Sequence, residues 1–280
     1  MEQISKLFTA CKYGKVEDLK LLLQDQTINL NHQDGGNWTL LHIACGKGYL
    51  DIVKLLLNEK RLDVNKQNKD GQTPFYTACS TGRIEVVKLL LKDERIDINK
   101  AENQTGATPT WIACYKGQTE ILELLVDDGR ANLNTPRRDG STPLFIACQQ
   151  GHIDIVKELL SEDEDDVDVN YANVDNVTPF FIACRDGKLD VVKCLLSDER
   201  VKVNQLNKAN QTPFYVACFY GHVEIVKLLL NDERIDIEKP NNSSFYIACM
   251  NGHIEIVEEI LASGREIDMD YKWNGQSIFE

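Results

Sequence analysis

The sequence is short of positive charge. Thirty-one lysines and arginines stand against forty-four aspartates and glutamates, giving a net charge of −13. Nucleic-acid binders draw much of their affinity from neutralised phosphates, so a chain with no basic face is not built to hold DNA or RNA. Anionic membrane surfaces are disfavoured as partners on the same ground. Long apolar runs are missing too; none approaches the ~20 residues that cross a bilayer. The opening stretch MEQISKLFTACKYGKVEDLK lacks an apolar core of about 7–15 residues behind a basic start, so it does not read as a secretory leader. Glycine-rich phosphate loops, a G-x-S-x-G elbow and an H-E-x-x-H helix are absent. Carboxylates are plentiful, but none is paired in a plausible cleft. The expectation is a protein that is not an enzyme and takes no cofactor.

What is present describes a foldable chain, with 42% hydrophobic and 27% charged residues over 280 positions. A soluble intracellular protein is expected, cytoplasmic with a nuclear location left open. Its nine cysteines then read as reduced thiols. Eight of them follow an alanine: Cys11, Cys45, Cys79, Cys114, Cys148, Cys184, Cys218 and Cys249. Their spacings are 34, 34, 35, 34, 36, 34 and 31, which is the register of an internal repeat. Cys194 alone falls outside it.

One copy, TPFYVACFYGHVEIVKLLL from Thr212 to Leu230, shows the local logic. Thr212 supplies a hydroxyl to cap free N–H groups, and Pro213 suits a first helical position. Phe214, Ala217 and Cys218 recur on one side of the helix that follows. Gly221 ends it after roughly two turns, in the left-handed region. A second helix then carries Val223, Val226, Leu229 and Leu230 as its apolar stripe. Segments such as DERIDIEK lead out through a polar loop. Isolated helices below ~12–15 residues are marginal in water, so each copy must bury its apolar faces on its neighbours.

These copies, with TPFYTACSTGRIEVVKLLL and TPLFIACQQGHIDIVKELL, resemble the ankyrin repeat, whose hallmark is TPLH-x-A followed by G-H-x-x-x-V-x-x-LL. The resemblance covers essentially the whole chain. It implies an all-α solenoid of stacked helix-turn-helix units with β-turn fingers, and a function in binding proteins. As a single domain over 1–280 the copies fall at about 1–33 (an N-terminal cap), 34–67, 68–102, 103–136, 137–172, 173–206, 207–237 and 238–271, with 272–280 as a partial ninth. Trp273 to Phe279 reads as the finger and entry of that ninth copy, either a natural half-repeat cap or the edge of a longer protein.

Departures from the family pattern are specific. Only His42 keeps the histidine of TPLH, which in the family ties the helix start to the adjoining loop. Tyr76, Trp111, Phe145, Phe181, Tyr215 and Tyr246 stand in its place elsewhere, so finger rigidity comes into question. That aromatic row is expected to pack at the finger bases rather than to hold a ligand. The interval of 31 predicts a stunted turn around Pro240, and the interval of 36 a longer loop at SEDEDDVDVN. That acidic run lacks the glycine and distant glutamate of an EF-hand, so a solvated outer loop is favoured.

Three Cys–His pairs four apart, Cys148/His152, Cys218/His222 and Cys249/His253, raise the question of a metal or nucleophile. A glycine ends the helix between the partners, so they do not share a helical face, and the reading is no metal. Equivalent cysteines in stacked helix pairs sit ~10 Å apart, beyond the ~7 Å a disulfide spans. They are expected to fill space between copies, and thiol chemistry is left to Cys194. His32 reads as a loop residue. Four N-x-T matches, at Asn37, Asn103, Asn176 and Asn210, each use a threonine read as the cap of its repeat. The resemblance also implies Asn65, Asn99 and Asn204 as hydroxylation targets.

In the resembled family the concave face, built from finger tips and first helices, takes the partner. The matching positions are the two residues before each turn glycine, together with tips such as Trp38, Lys69, Asp70, Arg138, Asp139, Val174, Val177 and Lys208. Interface anchors favour Trp, Tyr, Arg and Met. The candidate partner-binding residues are therefore Trp38, Tyr115, Arg138, Arg185, Phe219, Tyr220 and Met250. The expected function is a monomeric, non-catalytic adaptor, scaffold or inhibitor that binds a protein partner. The alternative is the substrate-recruiting part of a longer signalling enzyme or ubiquitin ligase.

Overall fold

A computed structural model describes residues 2–161, 166–239, 243–267, 272–273 and 276–277. Residues 162–165 of the expected SEDEDDVDVN loop, and the expected turn at Pro240, lie outside them. Among the described residues the chain is all-α apart from one two-residue strand pair. It divides into two compact units, Met1–Arg138 and Asp139–Glu280.

The first unit holds four helix pairs: α1 (Glu2–Lys12) with α2 (Val16–Leu23), α3 (Leu40–Lys47) with α4 (Leu50–Leu57), α5 (Pro74–Ser80) with α6 (Ile84–Leu91), and α7 (Pro109–Lys116) with α8 (Thr119–Asp128). The second holds α9 (Pro143–Gln150) with α10 (Ile153–Ser161), α11 (Pro179–Arg185) with α12 (Leu189–Leu196), α13 (Pro213–Tyr220) with α14 (Val223–Leu230), and α15 (Ser243–Met250) with α16 (Ile254–Ala262). In this unit β1 (Lys272–Trp273) pairs antiparallel with β2 (Gln276–Ser277), Lys272 facing Ser277 and Trp273 facing Gln276. Within each unit a first helix packs on its own second helix and on the neighbouring first helices, and the second helices stack likewise.

Local sequence sets each pair as expected. Thr39, Thr73, Thr108, Thr142, Thr178 and Thr212 each accept, through Oγ1, the backbone N–H three residues on. That satisfies one of the free donors at each helix start. Thr105, the threonine of the Asn103 match, is not a cap; it bonds Glu102 instead, because the true cap Thr108 lies three residues further on. Gly48, Gly117, Gly151 and Gly221 close their helices with positive φ. The apolar stripe of α14 is Ile225, Val226 and Leu229, with Val223 and Leu230 only half-buried. The adjacent pair recurs as Ile52–Val53, Val86–Val87, Ile121–Leu122, Ile155–Val156 and Val191–Val192, all buried.

The segments read as polar loops are the clasps of the stack. Arg95 and Arg130, and in the second unit Arg200 and Arg234, each pair with the aspartate two residues earlier. Each then donates from Nη2 to the carbonyl of Leu57, Leu91, Leu160 or Leu196, at the end of the preceding second helix, at 2.6–2.9 Å. A cation is placed where a helix C-terminus leaves carbonyls unsatisfied. The arginine hydrogen bond holds the carboxyls of Asp93, Asp198 and Asp232 below the usual carboxylate range. Beside the clasps runs an asparagine ladder. Asn31, Asn65, Asn99, Asn170 and Asn204 each donate to a carbonyl of the next copy, and Asn31, Asn65, Asn170 and Asn204 accept from the N–H two residues beyond it, at Asp63, Asp97, Lys202 and Asp236. Asn99 accepts from the N–H of Asn132 in the same manner. The amides of Asn65, Asn99 and Asn204 are thus committed to holding neighbours together.

The fingers are joined as well. Backbone N–H groups of Lys69, Asn103 and Arg138 donate to Gly36, Asp70 and Thr105, and in the second unit those of Val174 and Lys208 donate to Asp139 and Asp175. Rigidity therefore does not depend on the family histidine. His42 does tie its finger: Thr39 N–H donates to Nδ1 and Nε2 reaches the Gln72 carbonyl at 2.9 Å. The aromatic residues elsewhere are buried, with Trp111 4% and Phe181 1% exposed. They fill the finger bases.

Candidate partner-binding surface

The turn histidines have a structural task. His222 Nε2 bonds the Arg185 carbonyl at 2.8 Å and His253 Nε2 bonds that of Phe219 at 3.1 Å. Each ring lies over the turn glycine of the preceding copy, so a Cβ at Gly221 would fall 2.6 Å from His253 Cε1. In the first unit Arg83 takes the same position and donates from Nε to the Gly46 carbonyl at 3.0 Å. The cysteines of the repeat register are buried free thiols except Cys249, which is half-buried. Among the described residues α15 has a first helix, α13, on one side only, which leaves Cys249 less covered than expected. Burial pushes the Cys11 thiol up to about 12, and the thiols of Cys45, Cys79, Cys114, Cys184 and Cys218 up as well. Among the described residues no group of three or more His, Cys, Asp or Glu side chains is placed to hold a metal ion. No helix there is long and apolar enough to cross a membrane. His32 sits edge-on to Phe8, with ring centroids 6.0 Å apart.

In the second unit, three of the candidate residues meet. Arg185, Phe219 and Tyr220 line one groove of about 360 Å³, together with Asp175 and Lys208 from the fingers. The α13 helix fixes the aromatics at its last turn. Tyr215, one turn back, stacks on Phe219 at 6.3 Å, and Phe219 meets Tyr220 edge-on at 4.9 Å. Phe219 is 37% and Tyr220 53% exposed. Arg185 is half-buried and pairs with Asp186 at 2.7 Å. Met250, at the equivalent place on α15, is 62% exposed but does not line the groove. Val174 is exposed at its finger tip, whereas Val177 is buried.

In the first unit the candidates are dispersed. Tyr115 stacks on Trp111 at 5.4 Å, and Lys116 Nζ sits 5.2 Å from its ring centre. Arg137, which the sequence reading passed over, places its guanidinium 4.4 Å from the Trp111 ring. Its cue was a basic residue in the finger after an aromatic-for-histidine exchange. Arg138 is exposed and lies along the neighbouring finger, donating to the Asn103 carbonyl at 2.6 Å. Trp38 is half-buried, edge-on to His42 at 5.5 Å, and lines a cavity of its own.

The family model described as ankyrin repeats (three copies) matches residues 7–102, 95–173, 164–241 and 180–272. The chain belongs to the ankyrin repeat family. None of the curated proteins compared with it matches. Ankyrin repeats are generally protein-interaction modules, and only such repeats are found along this chain.

Proposed function

We propose that the chain is a non-catalytic adaptor, scaffold or inhibitor. Its principal partner site is centred on Arg185, Phe219 and Tyr220, with Met250 extending it along the same series of first-helix ends. The observation that carries this reading is the pair of exposed aromatics beside a groove, on helix ends that are already locked. Helix packing, the His253 bond to the Phe219 carbonyl and the stacked Tyr215 ring fix the backbone and restrain the rings. A partner then meets a surface that loses little conformational freedom on binding, which is where aromatic anchors gain most.

The test is the double variant Phe219→Ala/Tyr220→Ala. Proteins captured by the wild-type chain from its source cell are identified by mass spectrometry, then titrated against both forms. The variant is expected to bind at least about tenfold more weakly, with Tm lowered by no more than about 4 °C. A larger fall in Tm would make these rings part of the core and remove them from the binding surface.

A further inference from the structure

The first unit carries a second cavity that the groove of the second unit does not explain. It measures about 500 Å³, and its walls include Lys12, Lys47, Arg83, Trp38, Ile43 and Asp34. Three cations against one carboxylate is a local reversal in a chain of net charge −13. The lone carboxylate is also occupied: Asp34 Oδ1 accepts the N–H groups of Gly36 and Trp38, each at 2.9 Å. Lys88, by contrast, meets two glutamates and Lys227 three. Lys12, Lys47 and Arg83 have no carboxylate within ion-pair distance among the described residues.

The cavity has an apolar element held in place. The Trp38 ring lies against Gly36, where a Cβ would come within 2.9 Å of Cδ1, and meets His42 edge-on. Arg83 uses Nε to bond the Gly46 carbonyl, which anchors the guanidinium at the rim and leaves its Nη donors for a bidentate carboxylate. The complement of this arrangement is a group of carboxylates around one large apolar side chain. A nucleic-acid backbone fits it less well, since its charge would extend past three cations into the field of a strongly acidic protein. We infer that this cavity is a docking site for an acidic peptide segment of a partner protein, one that seats an aromatic or large aliphatic side chain on Trp38 and its carboxylates on Lys12, Lys47 and Arg83. It is independent of the groove lined by Phe219 and Tyr220.

The full chain is titrated into a fluorescein-labelled heptapeptide, Phe flanked on each side by three alternating Glu and Asp residues, with fluorescence anisotropy as the readout. Saturable binding is expected, weakening several-fold between about 50 mM and about 300 mM salt. Lys12→Glu/Lys47→Glu should lose at least about tenfold in affinity, and Trp38→Ala about fivefold. Neither lysine ammonium donates a hydrogen bond within the protein, so the charge-reversed form should keep its far-ultraviolet spectrum and melting curve. The Phe219→Ala/Tyr220→Ala form should bind the peptide like wild type, which separates this site from the other. The inference is overturned by an absence of binding, or by equal affinity for the Gln/Asn isostere of the peptide. It is overturned equally if the double lysine variant binds unchanged, or if a short oligothymidylate binds where the peptide does not.

Discussion

Helices α3 and α13 occupy the same place in their copies and have nearly the same backbone, yet they present opposite chemistry. Both start at a threonine cap and end at a glycine in the left-handed region, Gly48 at φ 76°, ψ 26° and Gly221 at φ 77°, ψ 30°. The side chains before those glycines are Gly46 and Lys47 in one case, Phe219 and Tyr220 in the other. The tie across to the next copy is also conserved in place but not in kind, an arginine on Gly46 and a histidine on Phe219. The first result is an open basic cavity beside Trp38, the second an aromatic rim. The pattern teaches that the scaffold fixes where a side chain stands, while two or three substitutions per copy decide what the surface attracts.

The largest effect is expected at the base of α3. His42 is fully buried and uses both ring nitrogens, whereas Tyr215 stands at the same position in α13 with its ring stacked on Phe219. His42→Ala strands the Gln72 carbonyl and opens a void, so equilibrium urea unfolding should show a loss of about 3 kcal/mol. Next come the turn glycines. Alanine in the left-handed region costs about 1–2 kcal/mol, and that should be the whole effect of Gly48→Ala, where the new Cβ meets Arg83 Cδ at 3.1 Å and the long side chain can give slightly while keeping its bond to Gly46. At Gly221 the Cβ meets a hydrogen-bonded imidazole at 2.6 Å, so the loss should rise by about 1 kcal/mol more as that bond is displaced. Equal losses at the two glycines would show that the histidine tie contributes nothing.

A smaller effect is the pH dependence that His42 brings. Burial lowers its pKa, only partly opposed by the bond to Gln72. The unfolded chain therefore takes up a proton near pH ~6.5 that the folded chain refuses until lower pH. Stability from this group is complete above that value and declines as pH falls below it. Comparing wild type with His42→Gln between about pH 7 and pH 5 isolates the contribution, since the variant should lack that part of the decline. A parallel pH dependence in both forms would remove His42 as its source.

The fold could be read from the sequence because a few local rules recur in copy after copy: a cap, a proline, a small buried Ala–Cys pair and a turn glycine. Each acts over a few residues, which is the range a pattern can see. The clasps were not legible in that way. Arg95 and Asn65 bond partners about 30–40 residues away, and within their own segment they look like ordinary polar loop. Recurrence of Asp-x-Arg at Asp93, Asp128, Asp198 and Asp232 was the available signal. The stripe of α14 slipped because Val223 and Leu230 satisfy helical spacing as well as Ile225 does; only packing against α12 and α16 chooses between them. At the surface, the exposure of Phe219, Tyr220 and Met250 followed from repeat register. The grouping of Lys12, Lys47 and Arg83 did not, because it draws one residue from each of three successive copies.

Thiol reactivity gives the finest test of the comparison. If α3 and α13 differ only in what they display, Cys45 and Cys218 beneath them should be equally inert. Both are fully buried, and burial pushes both thiols up, so neither offers thiolate to an alkylating reagent without local opening. Cys194 and Cys249 are half-buried, and burial raises their pKa as well. They should react first under native conditions, though more slowly than a free thiol. Mass mapping after timed iodoacetamide exposure should show these two modified and the remaining seven protected until the chain unfolds. Early modification of Cys218 with Cys45 still protected would mean that the aromatic end opens where the basic end does not. The difference between the two helices would then extend from their surfaces into their stability.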